Sequence, residues 1–171
     1  MAIYALGAAV PQIHPDAYVH PQATVIGNVT IGAGSTIWPQ TVLRGDYGYI
    51  EIGERTSIQD GAVVHCTQVP TIVGSECVVG HLVHLESCTI HDGALVGTGA
   101  IVLHRAVVES GAWVGAGAVV PNDMIVPSGA MALGVPAKLR PDSVDGEVIR
   151  RIVVGYNDNA LRYRAELRQL A

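Results

Sequence analysis

Residues 90–120 read IHDGALVGTGAIVLHRAVVESGAWVGAGAVV, and an aliphatic residue recurs there at every sixth position. These anchor residues are Ile90, Val96, Val102, Val108, Val114 and Val120. A small residue follows each of the first five anchors by four places, at Ala94, Ala100, Ala106, Ala112 and Ala118. A period of six fits neither the 3.6-residue helical turn nor the simple alternation of a hairpin strand. It is typical of a solenoid in which each hexad supplies one short strand and one corner.

The same spacing covers most of the chain, with anchors from Ile13 to Val126. Because three hexads make one triangular coil, we predict an all-β solenoid, a parallel β-helix of hexapeptide repeats. After Val126 the repeat stops, and residues 145–170 carry apolar residues at helical spacing. We therefore expect a β-helix domain over residues 1–135, followed over 136–171 by a linker and an α-helix that packs on the solenoid.

Composition narrows the functional classes. The chain has 171 residues, a formal net charge of −5 and only 10 Lys and Arg, so neither nucleic acid nor an anionic membrane is an expected partner. It shows neither an apolar stretch long enough for a membrane span nor a basic signal-peptide start, which predicts a cytoplasmic protein. Its three cysteines lack a Cys-x-x-Cys pair and are predicted to be small buried hydrophobes.

Two steps in the ladder of anchors are nine residues long, and each predicts a loop on the solenoid, around Asp46–Tyr49 and Cys66–Pro70. Counting hexads from coil to coil places Arg44, His65 and Glu86 in one vertical column, about one strand spacing apart. The same count places Asp60 directly beneath His81, on a different face. His65 and Glu86 could therefore bind one metal ion, and His81 would have to reach it from a neighbouring subunit.

Several short motifs occur in this part of the chain: Arg44-Gly45-Asp46, Gln59-Asp60, His65, Gly80-His81 and the closing Gly134–Lys138. Together they resemble the gamma-class carbonic anhydrase family, including its ferripyochelin-binding-like and acyltransferase-like members. The resemblance implies a left-handed β-helix, a homotrimer, and a zinc ion, or iron or cobalt, at each subunit interface. Three histidines from two subunits hold each ion in that family, and His65 and His81 match the first two.

The third ligand position departs from the family, because Glu86 stands where the pattern has histidine. His84 lies two residues earlier, where we expect its side chain to lean off the corner. The segment Cys66–Pro70 offers no acid for the proton transfer seen in the best-known archaeal type. In the C-terminal helix, Leu161 occupies the place that we align with a family tyrosine.

Each candidate residue has an expected role. Two histidines and one carboxylate are a recognised set for catalytic zinc and non-haem iron, so Glu86 could complete the site. Alternatively, Glu86 pairs with Arg44 or Arg105 and the metal site is degenerate. The remaining expected roles are trimer-interface contacts by Arg44 and Asp46, orientation of His81 by Asp60, and hydrogen bonding of a metal-bound water by Gln59. The other histidines, His14, His20, His91 and His104, are expected to be solvated turn residues.

Three functions remain open at this point. The first is metal-dependent hydration of carbon dioxide to bicarbonate, which could be weak because a carboxylate ligand makes the metal ion less electrophilic. The second is acyl transfer from a thioester, for which His84 is the candidate base and Gly134–Lys138 the shared motif. The third is a non-catalytic trimeric protein that binds a metal or a siderophore.

Overall fold

The computed structural model describes residues 2–170 and is a left-handed parallel β-helix with one C-terminal helix, which confirms the predicted fold class. In chain order the elements are β1 (Ala2–Tyr4), β2 (Gln12–Ile13), β3 (Tyr18–Val19), β4 (Thr24–Ile31), β5 (Thr36–Ile37), β6 (Val42–Ile52), β7 (Ser57–Ile58), β8 (Val63–His65), β9 (Thr71–Val73), β10 (Val78–Val79), β11 (His84–Glu86), β12 (Thr89–Ile90), β13 (Leu95–Val96), β14 (Ile101–Val102), β15 (Val107–Val108), β16 (Trp113–Val114), β17 (Val119–Val120), β18 (Ile125–Val126), β19 (Met131–Leu133), β20 (Lys138–Arg140) and α1 (Gly146–Glu166).

The strands stack as the three faces of a triangular prism. The first face contains β1, β4, β6, β8, β11, β14 and β17, and the second contains β2, β4, β6, β9, β12, β15 and β18. The third face contains β3, β5, β7, β10, β13, β16 and β19. Strands of successive coils pair in parallel, and β20 is antiparallel to β19. No helix in residues 2–170 combines the length and the apolar character that crossing a membrane requires.

The anchors of the repeat fill the inside of the prism. Leu43, Val64 and Leu85 lie above one another in the first face and are fully buried. Fully burying one such side chain contributes roughly 1.5–3 kcal/mol, and every coil repeats this gain. Small residues such as Ala62 and Ala100 occupy the remaining interior positions and are also fully buried. The three cysteines are free and buried, as predicted.

The first insertion is not the loop that the sequence predicts. Asp46–Tyr49 lies within β6, which continues round the corner from the first face to the second. The pairing of β4 with β6 shifts register between Gly27 and Val29, so the extra residues form a bulge in a continuous strand. A Cβ atom on Gly27 would lie 2.4 Å from the Gly45 carbonyl oxygen, so this corner requires glycine. The second insertion, at residues 66–70, is a loop as expected.

Helix α1 covers the third face. It begins after Asp145, whose side chain accepts a hydrogen bond from the Glu147 backbone N–H and so caps the helix. Its buried residues Ile149 and Val153 pack against Val78 and Leu95 of the solenoid. Further along, Ala160 packs in a cluster with Tyr18 and Trp38. The helix is therefore fixed along the solenoid, beside the corner that carries His81.

Candidate metal centre and histidine sites

Arg44, His65 and Glu86 form a column on the first face, as the hexad count predicts. Arg44 pairs with His65 between β6 and β8, and His65 pairs with Glu86 between β8 and β11. Each of the three follows a buried anchor, so its side chain points out of the prism. Consecutive coils therefore bring these side chains together on one surface.

His65 lies between two carboxylates. Its Nε2 atom is 2.9 Å from Oδ1 of Asp46, and its Nδ1 atom is 2.8 Å from Oε1 of Glu86. The His65 side chain is only 13% exposed, and both acids are also largely covered. A neutral imidazole has one N–H and can donate to only one of these acids. The other contact then places a ring lone pair against a carboxylate, where a shared proton or a bound cation would remove the repulsion.

Arg44 pairs with Asp46 through its guanidinium group. Burial by itself raises the pKa of Asp46, but the hydrogen bonds from His65 and Arg44 outweigh burial and lower that pKa below its usual value. Asp46 is therefore ionised and accepts the Nε2–H of His65. This arrangement leaves the Nδ1 lone pair of His65 directed towards Glu86.

The second oxygen of Glu86 faces another histidine. Oε2 of Glu86 lies 3.3 Å from Nε2 of His84, so the His84 side chain does not lean away from the column as we expected. His84 and Glu86 are two residues apart on β11, and residues with this spacing share one face of a strand. Neither arginine expected to neutralise Glu86 does so in residues 2–170, because Arg44 pairs with Asp46 and Arg105 pairs with Asp123.

His81 occupies a second position, at the corner next to the third face. Its Nδ1 atom is 3.1 Å from Oδ2 of Asp60, one coil below, as the hexad count predicts. Its Nε2 atom is 3.4 Å from the hydroxyl group of Tyr156 in α1. Burial raises the pKa of Tyr156, so the phenol stays protonated and donates to His81. The carboxylate fixes one tautomer, in which Nε2 of His81 carries the lone pair.

The donor set fits a divalent transition metal, provided that two chains contribute. Histidine ligands of metals usually donate their other ring N–H to a carboxylate, and both Asp46–His65 and Asp60–His81 have this arrangement. Within residues 2–170 of one chain, however, no three His, Cys, Asp or Glu side chains converge on a common position that could hold an ion. A metal ion held by His65 and Glu86 would therefore need its third protein ligand from another chain.

One sequence-based expectation about this region is wrong, and one contact was not predicted. The tyrosine that contacts His81 is Tyr156, whereas Leu161, which we align with the family tyrosine, is 67% exposed. The sequence did contain a signal for this contact, because the helical spacing of apolar residues places Tyr156 on the face of α1 that packs on the solenoid. His20 was expected to be a solvated turn residue, but its exposure is only 8%. It is covered because it lies directly beneath Trp38, which occupies the same corner position on the next coil. Gln59 is buried beside His81.

Comparison with known proteins gives matches of three kinds. Residues 11–45 match the family described as Bacterial transferase hexapeptide (six repeats). The "Carnitine operon protein CaiE" of Citrobacter koseri is 38% identical over 170 residues, which cover 98% of this chain and 86% of that protein. "Gamma carbonic anhydrase 2, mitochondrial" of Arabidopsis thaliana is 42% identical over 104 residues, which cover 57% of this chain and 37% of that protein.

A solved structure matches almost the whole chain. It comes from Bacillus cereus, is described as a candidate acetyltransferase, and is 34% identical with a TM-score of 0.94. The match covers 97% of this chain and 98% of the Bacillus chain. The architecture, the C-terminal helix included, is thus shared over its full length.

Proposed function

Because this chain belongs to the gamma carbonic anhydrase-like family of hexapeptide-repeat proteins, we propose that it forms a homotrimer with a divalent metal site at each subunit interface and hydrates carbon dioxide. One subunit contributes His65 and Glu86 from its first face. The adjacent subunit contributes His81 from the corner beside its third face. Bicarbonate is the product.

The observation that carries the proposal is the carboxylate bound to each histidine. The Asp46 carboxylate lies 2.9 Å from one ring nitrogen of His65, and the Asp60 carboxylate lies 3.1 Å from one ring nitrogen of His81. In each case the carboxylate holds the ring in one tautomer, and the remaining lone pair points away from that carboxylate. At His81 this lone pair accepts the Tyr156 hydroxyl, which would have to release it when a metal binds.

The sandwich of His65 between two acids supports the same site. Glu86 contacts only imidazoles among the ion-pair partners in residues 2–170, so its charge is not neutralised by a permanent cation. A cation ligated by Nδ1 of His65 and by Glu86 would supply that charge. Zinc accepts two histidines and one carboxylate, and iron or cobalt is compatible with the same donors.

A divalent ion bound there would supply a water molecule acidic enough to become a nucleophile near neutral pH. The chain's own residues then hold and orient the reactants. Asp46 and Asp60 keep the two imidazoles in their ligating tautomers. Tyr156 and Gln59, at the His81 corner, offer hydrogen bonds to the reacting oxygen atoms. The Glu86 charge lowers the electrophilicity of the site, so slow hydration is expected.

Trimer formation follows from the separation of the donors on the prism. Three-fold packing of prisms sets the first face of one subunit against the His81 corner of the next. Leu82 and Val63, next to the histidines on these surfaces, are exposed apolar side chains in the single chain. Covering them in an interface removes their apolar surface from water.

The function is tested by stopped-flow hydration of carbon dioxide together with elemental analysis of protein purified without added metal or chelator. Near-stoichiometric transition metal and hydration above the buffer rate are expected. Bound metal without hydration would favour a metal- or siderophore-binding protein. Hydration at the buffer rate by a fully metallated trimer would contradict the proposal.

Acyl transfer from a thioester is the second candidate, and a specific observation favours it. In the Asp60–His81 pair the carboxylate orients the imidazole and makes Nε2 the basic atom, which is the arrangement of general-base histidines. A substrate would have to displace the Tyr156 hydroxyl from Nε2. The Bacillus structure is described as a candidate acetyltransferase. We now prefer His81 to His84 as the candidate base. Nε2 of His84 contacts Glu86, which the proposed metal site uses as a ligand. Consumption of acetyl-CoA by metal-free protein would favour this reading.

A further inference from the structure

A groove of about 490 Å³ runs along the prism corner, between the third face and α1, and begins at His81. Leu95 and Trp113 form the wall on the solenoid side. Ile152 and Tyr156 form the opposite wall on the helix. Small-molecule sites usually enclose roughly 300–1,000 Å³, so this groove has the size of a binding site. Carbon dioxide would fill only a small part of it.

The groove exists because of a change of residue type in one column of the solenoid. Hydrogen bonds between successive coils align the column His20, Trp38, Gln59, Gly80, Gly97 and Gly115. The first three side chains fill the space at the corner, whereas Gly80 and Gly97 carry no side chain and line the groove. Glycine is required at position 97, because a Cβ atom there would lie 2.7 Å from the Ala116 backbone nitrogen. From Gly80 to Ala116 the lining spans two coil intervals, or about 10 Å.

The lining determines which chemical group can occupy the groove. No Lys, Arg, Asp or Glu side chain lines it in the described part of the chain, so an ionised group placed among the apolar residues beyond His81 would lose hydration without gaining a charged partner. Aromatic and aliphatic side chains dominate its far end, around Trp113. Hydrogen-bonding groups are concentrated at the near end, where the Tyr156 hydroxyl lies 3.4 Å from Nε2 of His81.

We propose that the groove binds the uncharged acyl group of an ester or thioester substrate, with the acyl carbonyl beside His81. This inference rests on the proposed function, because the nucleophile of the adjacent site would perform the reaction. Water oxygen forms a bond to the carbonyl carbon, the bond to the alcohol or thiol breaks, and the leaving group takes a proton. The products are a carboxylic acid and an alcohol or thiol.

The first experiment compares 4-nitrophenyl acetate with 4-nitrophenyl hexanoate as substrates for the intact, metallated protein. Because longer acyl chains bury more apolar surface in the groove, kcat/KM for the hexanoate is expected to exceed that for the acetate by about tenfold or more. Ala116→Phe and Thr98→Phe place a ring at the mouth of the groove from exposed turn positions, so the core is untouched. Both should bring the ratio close to one. Asn122→Phe, at an exposed turn outside the groove, should leave the ratio unchanged.

The second experiment measures binding without catalysis. Saturation-transfer NMR with hexanamide, a neutral acyl probe, is expected to show transfer from wild-type protein and from Asn122→Phe, and none from Ala116→Phe. Binding of hexanamide without ester hydrolysis would support the groove and contradict the hydrolytic step. Absence of hexanamide binding, with carbon dioxide hydration intact, would overturn the groove assignment and leave the proposed function standing. A chain-length preference that survives both groove variants would also overturn the assignment.

Discussion

The Asp60 carboxylate lies 3.1 Å from Nδ1 of His81, although the two residues belong to successive coils 21 positions apart. The stacking of coils creates this contact, since residue 60 lies directly below residue 81. His81 thereby directs its Nε2 lone pair towards the Tyr156 hydroxyl at the corner of the prism. In the proposed site Asp60 would act through His81, as a positioning residue.

Replacing Asp60 by Asn should weaken metal binding by about 10- to 100-fold, the usual effect of removing a carboxylate behind a histidine ligand. The fold should be retained, since the Asp60 side chain is 47% exposed. Metal affinity and the unfolding transition are measured on the same preparation. Asp123→Asn is the matched control, because Asp123 is an exposed acid that pairs with Arg105 away from the histidines. Equal metal affinity in the two variants would show that Asp60 does not support metal binding.

The column of Arg44, His65 and Glu86 could be predicted by counting hexads, because parallel coils stack with a fixed register. The pairing of Arg44 with Asp46 could also have been found, since residues two apart on a strand share a face. That Arg44 and Asp46 lie in one strand was not predicted, because the three extra residues around Asp46–Tyr49 have the pattern of a loop. The contact of Tyr156 with His81 depends on how α1 sits on the third face, which side-chain packing decides and the repeat does not encode.

Glu86→His should raise zinc affinity by about tenfold, equivalent to 1.4 kcal/mol, and should increase carbon dioxide hydration. The new imidazole stacks over His65 and gives three neutral ligands, so the ion becomes more electrophilic and its water more acidic. Stopped-flow hydration is measured for both proteins at known metal content. An unchanged rate in a fully metallated variant would count against carbon dioxide hydration as the reaction.

Sedimentation equilibrium at micromolar concentration should give three times the 17.9 kDa mass of one chain. The donors lie on two separate surfaces of the prism, so assembly is a condition of the proposed site. Leu82→Asp introduces a charge at an exposed position next to His81 and should shift the equilibrium towards monomer, with loss of bound metal. A stable monomer of the wild-type chain that still holds stoichiometric metal would show that the interface is not needed.

Burial lowers the pKa of His20, and the nearby Asp60 charge opposes this effect only in part. A histidine with a lowered pKa in the folded state disfavours folding once the unfolded chain takes up the proton, so stability should fall as the pH drops below about 6.5. His20→Asn keeps an acceptor for the Gln22 backbone N–H and removes this titration. Relative to wild type, this variant should therefore lose less stability between pH 7.5 and pH 5.

Chemical denaturation at the two pH values measures this loss. His14→Asn is the matched control, because His14 makes the same contact with the Asp16 backbone N–H from an exposed position. An equal reduction of the loss in the two variants would mean that the burial of His20 has no bearing on the pH dependence.

The most direct test of an interface metal site is subunit complementation between His65→Ala and His81→Ala. Each variant alone should be folded and free of metal, since Val79 and Val83 provide the packing around His81. After unfolding and joint refolding at equal amounts, random trimers would combine an intact His65 and an intact His81 at about one quarter of the interfaces. Elemental analysis should therefore recover about a quarter of the wild-type metal content. No recovery in the mixed trimers, or metal retained by either variant alone, would contradict a site built from two chains.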